Sequence, residues 1–205
     1  MNQSKIKSLW NSLPEVQPFL RSGVFFVQVG SHDGKDDLTK LVKNHCWKGM
    51  LIEPNPVIFP LLKKTYADQD MIFENVAIDP QKNSVELFHI KKGEKVNWKW
   101  STLHKDRFLP RKGRSIHSST ICKACTLTSL LIKHKIEQFD WLHIDVEAHD
   151  YQVLLSLDLD KYQPHIIIWE RKHLIAQDSQ KMDDLFISRG YTVKQISRMN
   201  RMASK

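Results

Sequence analysis

Short apolar runs that alternate with helix-spaced segments constrain the fold of this chain more than any other feature. The strongest runs read VFFVQV at residues 24–29, GMLI at 49–52, WLHIDV at 141–146 and IIIW at 166–169. Runs of this length, rich in β-branched and aromatic residues, are typical of buried strands. Leu38, Leu41 and Val42, by contrast, have the spacing of a helix. This alternation predicts an α/β fold, with a mostly parallel sheet and helices on both of its faces.

The remaining pattern completes the predicted order of elements along the chain. It indicates further strands at 71–77, 84–89 and 191–196, and helices at 36–46, 56–66, 128–135 and 182–189. A length of 205 residues suits a single domain spanning 1–205. We expect a short helical extension at 1–22 and a basic insertion loop at about 91–125. The insertion contains Trp98 and Trp100 among its basic residues, which favours a functional role over a disordered loop.

Composition and charge restrict the environment and the partners of the chain. Hydrophobic residues make up 41% and charged residues 26%, an ordinary globular composition. No apolar run approaches the ~18 residues of a membrane span, and the N-terminal residues lack a signal-peptide core, so we expect a cytoplasmic protein without a membrane partner. Lys and Arg number 31 against 23 Asp and Glu, and the net charge of +8 favours anionic partners: nucleic acid, phosphorylated sugars or acidic glycans. Nothing in the sequence specifies an oligomeric state.

The residues at the strand ends predict a nucleoside site, because ligands of parallel α/β sheets bind at the carboxyl ends of the strands. The first strand ends in a turn bounded by Gly30 and Gly34, where the backbone can approach a ligand closely. The second ends at Glu53, whose carboxylate could accept hydrogen bonds from ribose hydroxyls. The glycine fingerprints of dinucleotide and phosphate sites are absent, and Asp33 would repel a pyrophosphate. A cationic nucleoside such as S-adenosylmethionine fits these residues better.

Five segments, in order, resemble the FkbM-type class I methyltransferases. They read FVQVGSHDGKDD, GMLIEPNPVIFPLLKKTY, ENVAID, CTLTSLLIKHKIEQFDWLHIDVEAHDYQVLLSLDL and PHIIIWERKHL, and the resemblance runs from about residue 24 to residue 193. It implies a Rossmann-like seven-stranded sheet, S-adenosylmethionine as cofactor, and O-methylation of a sugar, glycan or other small hydroxylated acceptor.

The resemblance also implies roles for individual residues. Gly30 and Ser31 would line the methionine end of the cofactor with Asp33 nearby, and Glu53 would bind the ribose. The residues flanking the adenine would be Asn75, Val76 and Ala77. Asp145 and Glu147 match the D-x-E signature of the family beside the transferred methyl group, and Asp145 would also contact the cofactor. Ala148 and His149 depart from the glycine and the aromatic or small residue that commonly follow.

Proton removal from a hydroxyl acceptor requires a base, and two residues near 145 are candidates. His149 is one candidate, because the reference pKa of a histidine side chain lies near neutrality, while Glu147 could orient it or act as the base itself. Other interpretations stand beside these. His149 could face solvent at a helix N-terminus, and Asp145 and Glu147 could cap the following helix.

Two metal sites are conceivable from the residue pattern. His143, Asp145 and Glu147 alternate onto one face of a strand, and such a set suits Mg²⁺ or Mn²⁺. Cys122 and Cys125 form one C-x-x-C with only His117 nearby, which is half of a zinc site. Two small apolar side chains beside a strand explain these cysteines more simply.

Two other functions remain open at the level of sequence. The net charge and the basic, tryptophan-bearing insertion suit an RNA methyltransferase. Against it, the [DN]-P-P-[YFW] signature is missing, because Asn55 and Pro56 are followed by Val57. A binding module that retains the fold without catalysis is the third alternative.

Overall fold

The computed structural model describes residues 9–108 and 113–205. In chain order, two 3₁₀ helices (Leu9–Ser12 and Pro14–Phe19) are followed by β1 (Phe25–Val29), α1 (Asp37–His45), β2 (Lys48–Ile52), α2 (Phe59–Thr65), β3 (Met71–Glu74), β4 (Ala77–Ile78), β5 (Ser84–Lys92), β6 (Lys95–Thr102), α3 (Lys105–Phe108), β7 (Arg114–Cys125), α4 (Leu127–Lys133), β8 (Trp141–Ile144), α5 (Asp150–Leu155), β9 (Ile166–Glu170), α6 (Ala176–Ser188), β10 (Thr192–Gln195) and β11 (Asn200–Ser204). Within these ranges, no helix combines the length and apolar character that a membrane crossing needs.

A seven-stranded sheet forms the centre of the fold, in the order β10-β11-β9-β8-β1-β2-β3. Neighbouring strands from β9 to β3 are parallel, and β11 runs antiparallel to both β9 and β10. The predicted α/β fold with a mostly parallel seven-stranded sheet is therefore confirmed. The carboxyl ends of β1, β2, β8 and β9 meet along one edge of this sheet.

Side chains of alternating strand residues form a core on each face of the sheet. From β1, Val27 and Val29 join the cluster that includes Leu131 of α4 and Phe186 of α6. Phe26 points to the opposite face, where it packs in the cluster beneath α1 and α2. Trp10 of the N-terminal segment joins that second cluster, with its ring centroid 5.7 Å from that of Trp141. Helices thus cover both faces of the sheet.

Most of the described residues in the predicted insertion loop at about 91–125 form strands instead. β5 pairs with β7 from Ser84↔Lys123 to Lys92↔Arg114, and also pairs with β6. Together with β4 they form a separate four-stranded sheet. Most residues between Arg114 and Ile121 are exposed, so β7 lacks the alternating apolar pattern by which strands are recognised. Its conformation is determined by long-range pairing with β5, which the sequence of the segment does not reveal.

Two further differences between the predicted and the observed strands concern the segment at 71–77 and the last strand, β11. The strand expected at 71–77 is divided into β3 and β4, which belong to different sheets. The chain crosses between the sheets at Asn75 and Val76, next to the carboxyl end of β2. The strand β11 follows the last predicted strand and was not expected, because its residues are mixed in polarity; Met202 and Ala203 become buried only through pairing with β9.

Candidate active site

A cavity of about 290 Å³ lies between the carboxyl edge of the central sheet and the second sheet. One wall comes from the residues that follow β1, β2, β8 and β9. The opposite wall comes from residues 98–103, at the end of β6 and just beyond it. Its lining includes Gly30, Ser31, His32, Asp33, Glu53, Val76, Ala77, Trp98, Lys99, Trp100, Thr102, Asp145, Glu147, His149, Glu170 and Lys172. The structure thus brings together most of the residues singled out from the sequence.

The turn after β1 passes very close to the end of β8. Gly30 has a φ of 82°, and a Cβ atom there would overlap the backbone carbonyl oxygen of Asp145. Both the left-handed backbone and the close approach require glycine. The neighbouring Ser31 is buried, and its hydroxyl donates to the Gln28 carbonyl at 3.1 Å and accepts from the Ile52 amide at 3.2 Å. Ser31 therefore joins β1 to β2 as well as lining the cavity.

Asp33 lies in the turn after β1 and contacts two basic side chains. Its carboxylate is 3.0 Å from Nδ1 of His32 and 3.4 Å from Nζ of Lys35. Burial raises the pKa of Asp33, but the hydrogen bond and charge of His32, with the Lys35 contacts, outweigh it and lower the pKa overall. Asp33 is consequently a stable negative charge on the wall of the cavity.

Glu53 is a buried carboxyl group held by two backbone amides. Its oxygens accept from the His32 amide and from the Asn55 amide, both at 2.8 Å. His32 adopts a positive φ of 46°, and this conformation turns its amide towards Glu53. Burial raises the pKa of Glu53 to about 7, although the two hydrogen bonds oppose this effect. Each carboxylate oxygen keeps a further lone pair for a donor in the cavity.

The raised pKa of Glu53 predicts that the stability of the cofactor-free protein falls as pH rises. The folded state keeps a proton up to about pH 7 that the unfolded chain loses near its ordinary pKa of 4.5. The free energy of unfolding should therefore decrease, relative to a Glu53→Gln variant, by about 3 kcal/mol between about pH 4.5 and about pH 8. Denaturant titrations across this pH range measure the difference.

The matched control for this titration is Glu94→Gln, since the Glu94 side chain is fully exposed. Its stability should follow that of the wild type at every pH. A constant difference between the wild type and Glu53→Gln would show that Glu53 is ionised in the folded state throughout this range.

The three residues assigned to the adenine are separated by the structure. Val76 and Ala77 line the cavity. The Asn75 side chain instead donates to the backbone carbonyls of Glu53, at 2.7 Å, and Pro54, at 3.2 Å, outside the cavity lining. Asn75 therefore fixes the segment that carries Glu53.

A cluster of carboxyl groups occupies the ends of β8 and β9. Asp145 lies deep in the fold, where its side chain is exposed to the cavity rather than to the outer surface of the protein. Burial, followed by repulsion from neighbouring carboxylates, raises the pKa of Asp145 to about 7 and that of Glu147 to about 9. The same causes raise the pKa of the fully buried Asp150 well above its usual range. Glu170, the last residue of β9, is the neighbour common to all three.

His149 is buried rather than facing solvent. Its Nδ1 lies 2.9 Å from Nε2 of His104, and its Nε2 lies 3.4 Å from the Asp79 carboxylate. These contacts join the end of β8 to the second sheet. His149 is also the N-cap residue of α5, without a side-chain capping bond. Asp145 and Glu147 therefore do not occupy the capping position that the sequence had left open to them.

The metal sites considered from sequence do not assemble as expected. His143 is buried 3.3 Å from the Gln28 side chain and packs against Trp10. β8 ends at Ile144, so the alternation that would have joined His143 to Glu147 is broken. Cys122 and Cys125 are separated by three positions in β7, and odd spacing directs side chains to opposite faces.

A different set of potential metal ligands is assembled instead. Among the described residues, the group of such side chains close enough to share an ion consists of Glu147, Glu170 and His173. Sequence reasoning missed this combination, although Glu170 directly follows the apolar run at 166–169 and His173 lies three positions further on.

The sequence indicated a functional role for the segment that contains β6, but assigned none of its residues to the site. Trp98 and Trp100 line the cavity together with Lys99. The guanidinium of Arg114 lies 3.8 Å from the centroid of the Trp100 ring. The Thr102 hydroxyl donates to the Glu147 carbonyl at 2.8 Å, which holds this wall against the end of β8. The clustering of tryptophans in a basic segment was the available signal.

This strand order, with one antiparallel strand near the sheet edge and a cavity at the carboxyl ends, defines a Rossmann-like methyltransferase fold. Two solved structures share it. The ribosomal protein L11 methylase from Lactobacillus delbrueckii subsp. bulgaricus is 8% identical with a TM-score of 0.50, over 93% of this chain and 74% of that one. The METTL16 MTase domain is 9% identical with a TM-score of 0.50, over 98% and 61%. At such identities the likeness concerns the fold alone.

The family itself is identified from the sequence. The family model for the methyltransferase FkbM domain matches residues 28–193. The chain therefore belongs to the FkbM methyltransferase family, and it is an S-adenosylmethionine-dependent methyltransferase. No curated protein matches the chain.

Proposed function

We propose that this enzyme methylates a hydroxyl group of a sugar, glycan or other small hydroxylated acceptor. The observation that carries the proposal is the composition of the cavity. A floor of carboxyl groups that includes Asp145 faces a wall that contains Trp98 and Trp100. Carboxylates accept hydrogen bonds from hydroxyls, while aromatic faces pack against the apolar faces of a sugar ring.

The cofactor is proposed to bind along the ends of β1 and β2. Glu53 fits the ribose, because its oxygens lie at the cavity wall with lone pairs left by the two backbone amides. Gly30 and Ser31 let the backbone approach the methionine end, and Asp33 supplies a negative charge for its α-amino group. Val76 and Ala77 provide an apolar surface for the adenine. Asp145, next to Gly30, lies beside the reacting end of the cofactor.

Replacing Glu53 tests the cofactor site directly. Glu53→Ala should weaken S-adenosylmethionine binding about 10–100-fold, because the ribose hydroxyls lose a buried acceptor worth about 1–3 kcal/mol. For the wild type, binding should tighten as pH rises through about 7, since the ionised carboxylate is the better acceptor. Isothermal titration calorimetry at several pH values measures both effects.

Glu94→Ala is the control, and it should bind the cofactor as the wild type does. Equal affinities of Glu53→Ala and the wild type would remove Glu53 from the proposed site. Absence of wild-type binding at millimolar cofactor would contradict the whole assignment of the cavity.

S-adenosylmethionine supplies an already activated methyl group, so the protein mainly has to position the acceptor. Asp145 is a carboxyl group exposed to the cavity, and we assign it as the base that takes the hydroxyl proton. Glu147 lies 3.4 Å from His173 and borders the same space. His149 acts as a positioning residue, since both of its ring nitrogens face protein groups.

A screen of methyl acceptors tests the proposed reaction. Purified protein with S-adenosylmethionine is offered simple sugars, nucleotide sugars, acidic glycans and RNA, and S-adenosylhomocysteine is measured by mass spectrometry. The proposal expects formation that depends on a hydroxylated small molecule or glycan. Formation with RNA alone would contradict it.

RNA is the second candidate acceptor because Lys99 and the two tryptophans line the cavity, and the Arg114 guanidinium lies over the Trp100 ring. Stacking on aromatic residues beside cations is a common mode of single-strand binding. Filter retention of labelled RNA at increasing salt distinguishes the candidates. A steep loss of binding with salt would favour RNA.

A further inference from the structure

The end of β8 and the end of β9 place three metal-binding side chains around one point. Glu147 follows β8, Glu170 ends β9, and His173 lies in the turn after β9. Each offers one ligand atom, and these atoms all lie within 4.8 Å of one another. Nε2 of His173 is 3.4 Å from Oε2 of Glu147. Because β8 and β9 are adjacent parallel strands, the sheet itself holds the three residues together.

The surroundings of the three residues favour a cation over a simple ion pair. Glu170 and His173 are 5% and 8% exposed. Oε2 of Glu147 is inaccessible to solvent and makes no hydrogen bond within the described part of the chain. Asp145 and Asp150 add two more carboxyl groups, so the region holds four, and the cations that act on Asp145 and Glu147 are Lys99, Lys172 and Arg114. The ion pair with His173 involves one of these carboxyl groups, that of Glu147.

We propose that Glu147, Glu170 and His173 bind one divalent metal ion at the wall of the cavity, with Mn²⁺ as the best fit. Two carboxylates and one imidazole form a mixed oxygen and nitrogen set, which suits Mn²⁺ better than Ca²⁺. Glu147 and Glu170 line the cavity, so the remaining coordination positions face its interior. An acceptor with two neighbouring oxygens, such as a sugar diol, can occupy them; this role rests on the proposed function, whereas metal binding does not.

Manganese binding is tested on the full chain without cofactor or acceptor. Free Mn²⁺ gives an electron paramagnetic resonance signal that decreases on binding, and a titration yields the stoichiometry and the affinity. We expect one ion per chain, with affinity lowered at least about tenfold in both Glu170→Gln and His173→Gln. Thermal unfolding gives a second measurement, because bound metal raises the melting temperature of the wild type but not of these variants.

Two controls and two outcomes decide the proposal. His165→Gln, at an exposed histidine, and Glu94→Gln, at an exposed glutamate, should bind Mn²⁺ as the wild type does. Absence of Mn²⁺ binding at millimolar concentration would overturn the proposal and leave the Glu147–His173 ion pair in its place. Equal binding by folded variants and wild type would also overturn it. Both measurements stay readable if the acceptor screen fails, so the two proposals can be distinguished.

Discussion

Replacement of Asp145 by asparagine is expected to lower kcat by about 10²–10⁴-fold, the usual contribution of a positioned base. Asparagine has nearly the same shape but cannot take the proton of the acceptor hydroxyl. Rates are measured with the acceptor identified by the screen, at saturating S-adenosylmethionine. Under these conditions, weaker cofactor binding does not contribute to the result.

The control for this experiment is Asp70→Asn, which makes the same change at a side chain that is 77% exposed. It should leave kcat unchanged. If Asp145→Asn retained the wild-type kcat, the base would have to be another group at the cavity. Glu147 would then be the next carboxyl group to examine.

Replacement of Gly30 by alanine should be the most damaging single-methyl change at the site. The new Cβ would overlap the carbonyl of Asp145, so the ends of β1 and β8 would have to separate. Steric overlap and the left-handed backbone together should cost about 2–5 kcal/mol of the free energy of unfolding. Cofactor binding should weaken as well, because Glu53 and Asp145 depend on the position of this turn. Chemical denaturation and calorimetry measure the two effects.

Comparison with Gly190→Ala separates the two causes of the lower free energy of unfolding, which are steric overlap and backbone strain. Gly190 has nearly the same positive φ, 80°, but a Cβ atom there would meet nothing within 4 Å. It should cost only the backbone strain, about 1–2 kcal/mol, and leave cofactor binding unchanged. Equal destabilisation by the two variants would show that β1 and β8 do not approach as closely as described.

The middle strands of the central sheet, β1, β2, β8 and β9, could be predicted from sequence because they are buried on both faces. The apolar runs that gave β1, β2, β8 and β9 carry their own signal, and each ends near the predicted residue. β7 and β11 carry no such signal. The residues of β7 become a strand through pairing with β5, and those of β11 through pairing with β9. In both pairs, other elements of the chain separate the two strands in sequence.

The candidate site was likewise predicted from sequence only in part. The turn at Gly30 and the acid at Glu53 were predicted, because strand ends in a parallel sheet share one edge. The burial of His149 was not predicted, since it depends on His104 and Asp79 from the second sheet. Asn75 was placed at the adenine by resemblance, whereas its side chain holds the backbone beneath Glu53.

The sequence alone determined the strands β1, β2, β8 and β9, the family, and which residues stand at the ends of these strands, because burial and turns leave local patterns. Tertiary structure decided the rest. In the folded chain, part of the segment predicted as a loop at 91–125 lines the cavity, Asp145 is exposed to that cavity, and His173 lies beside Glu147. These outcomes depend on contacts between segments distant in the chain, and such contacts leave no periodic signal in either segment.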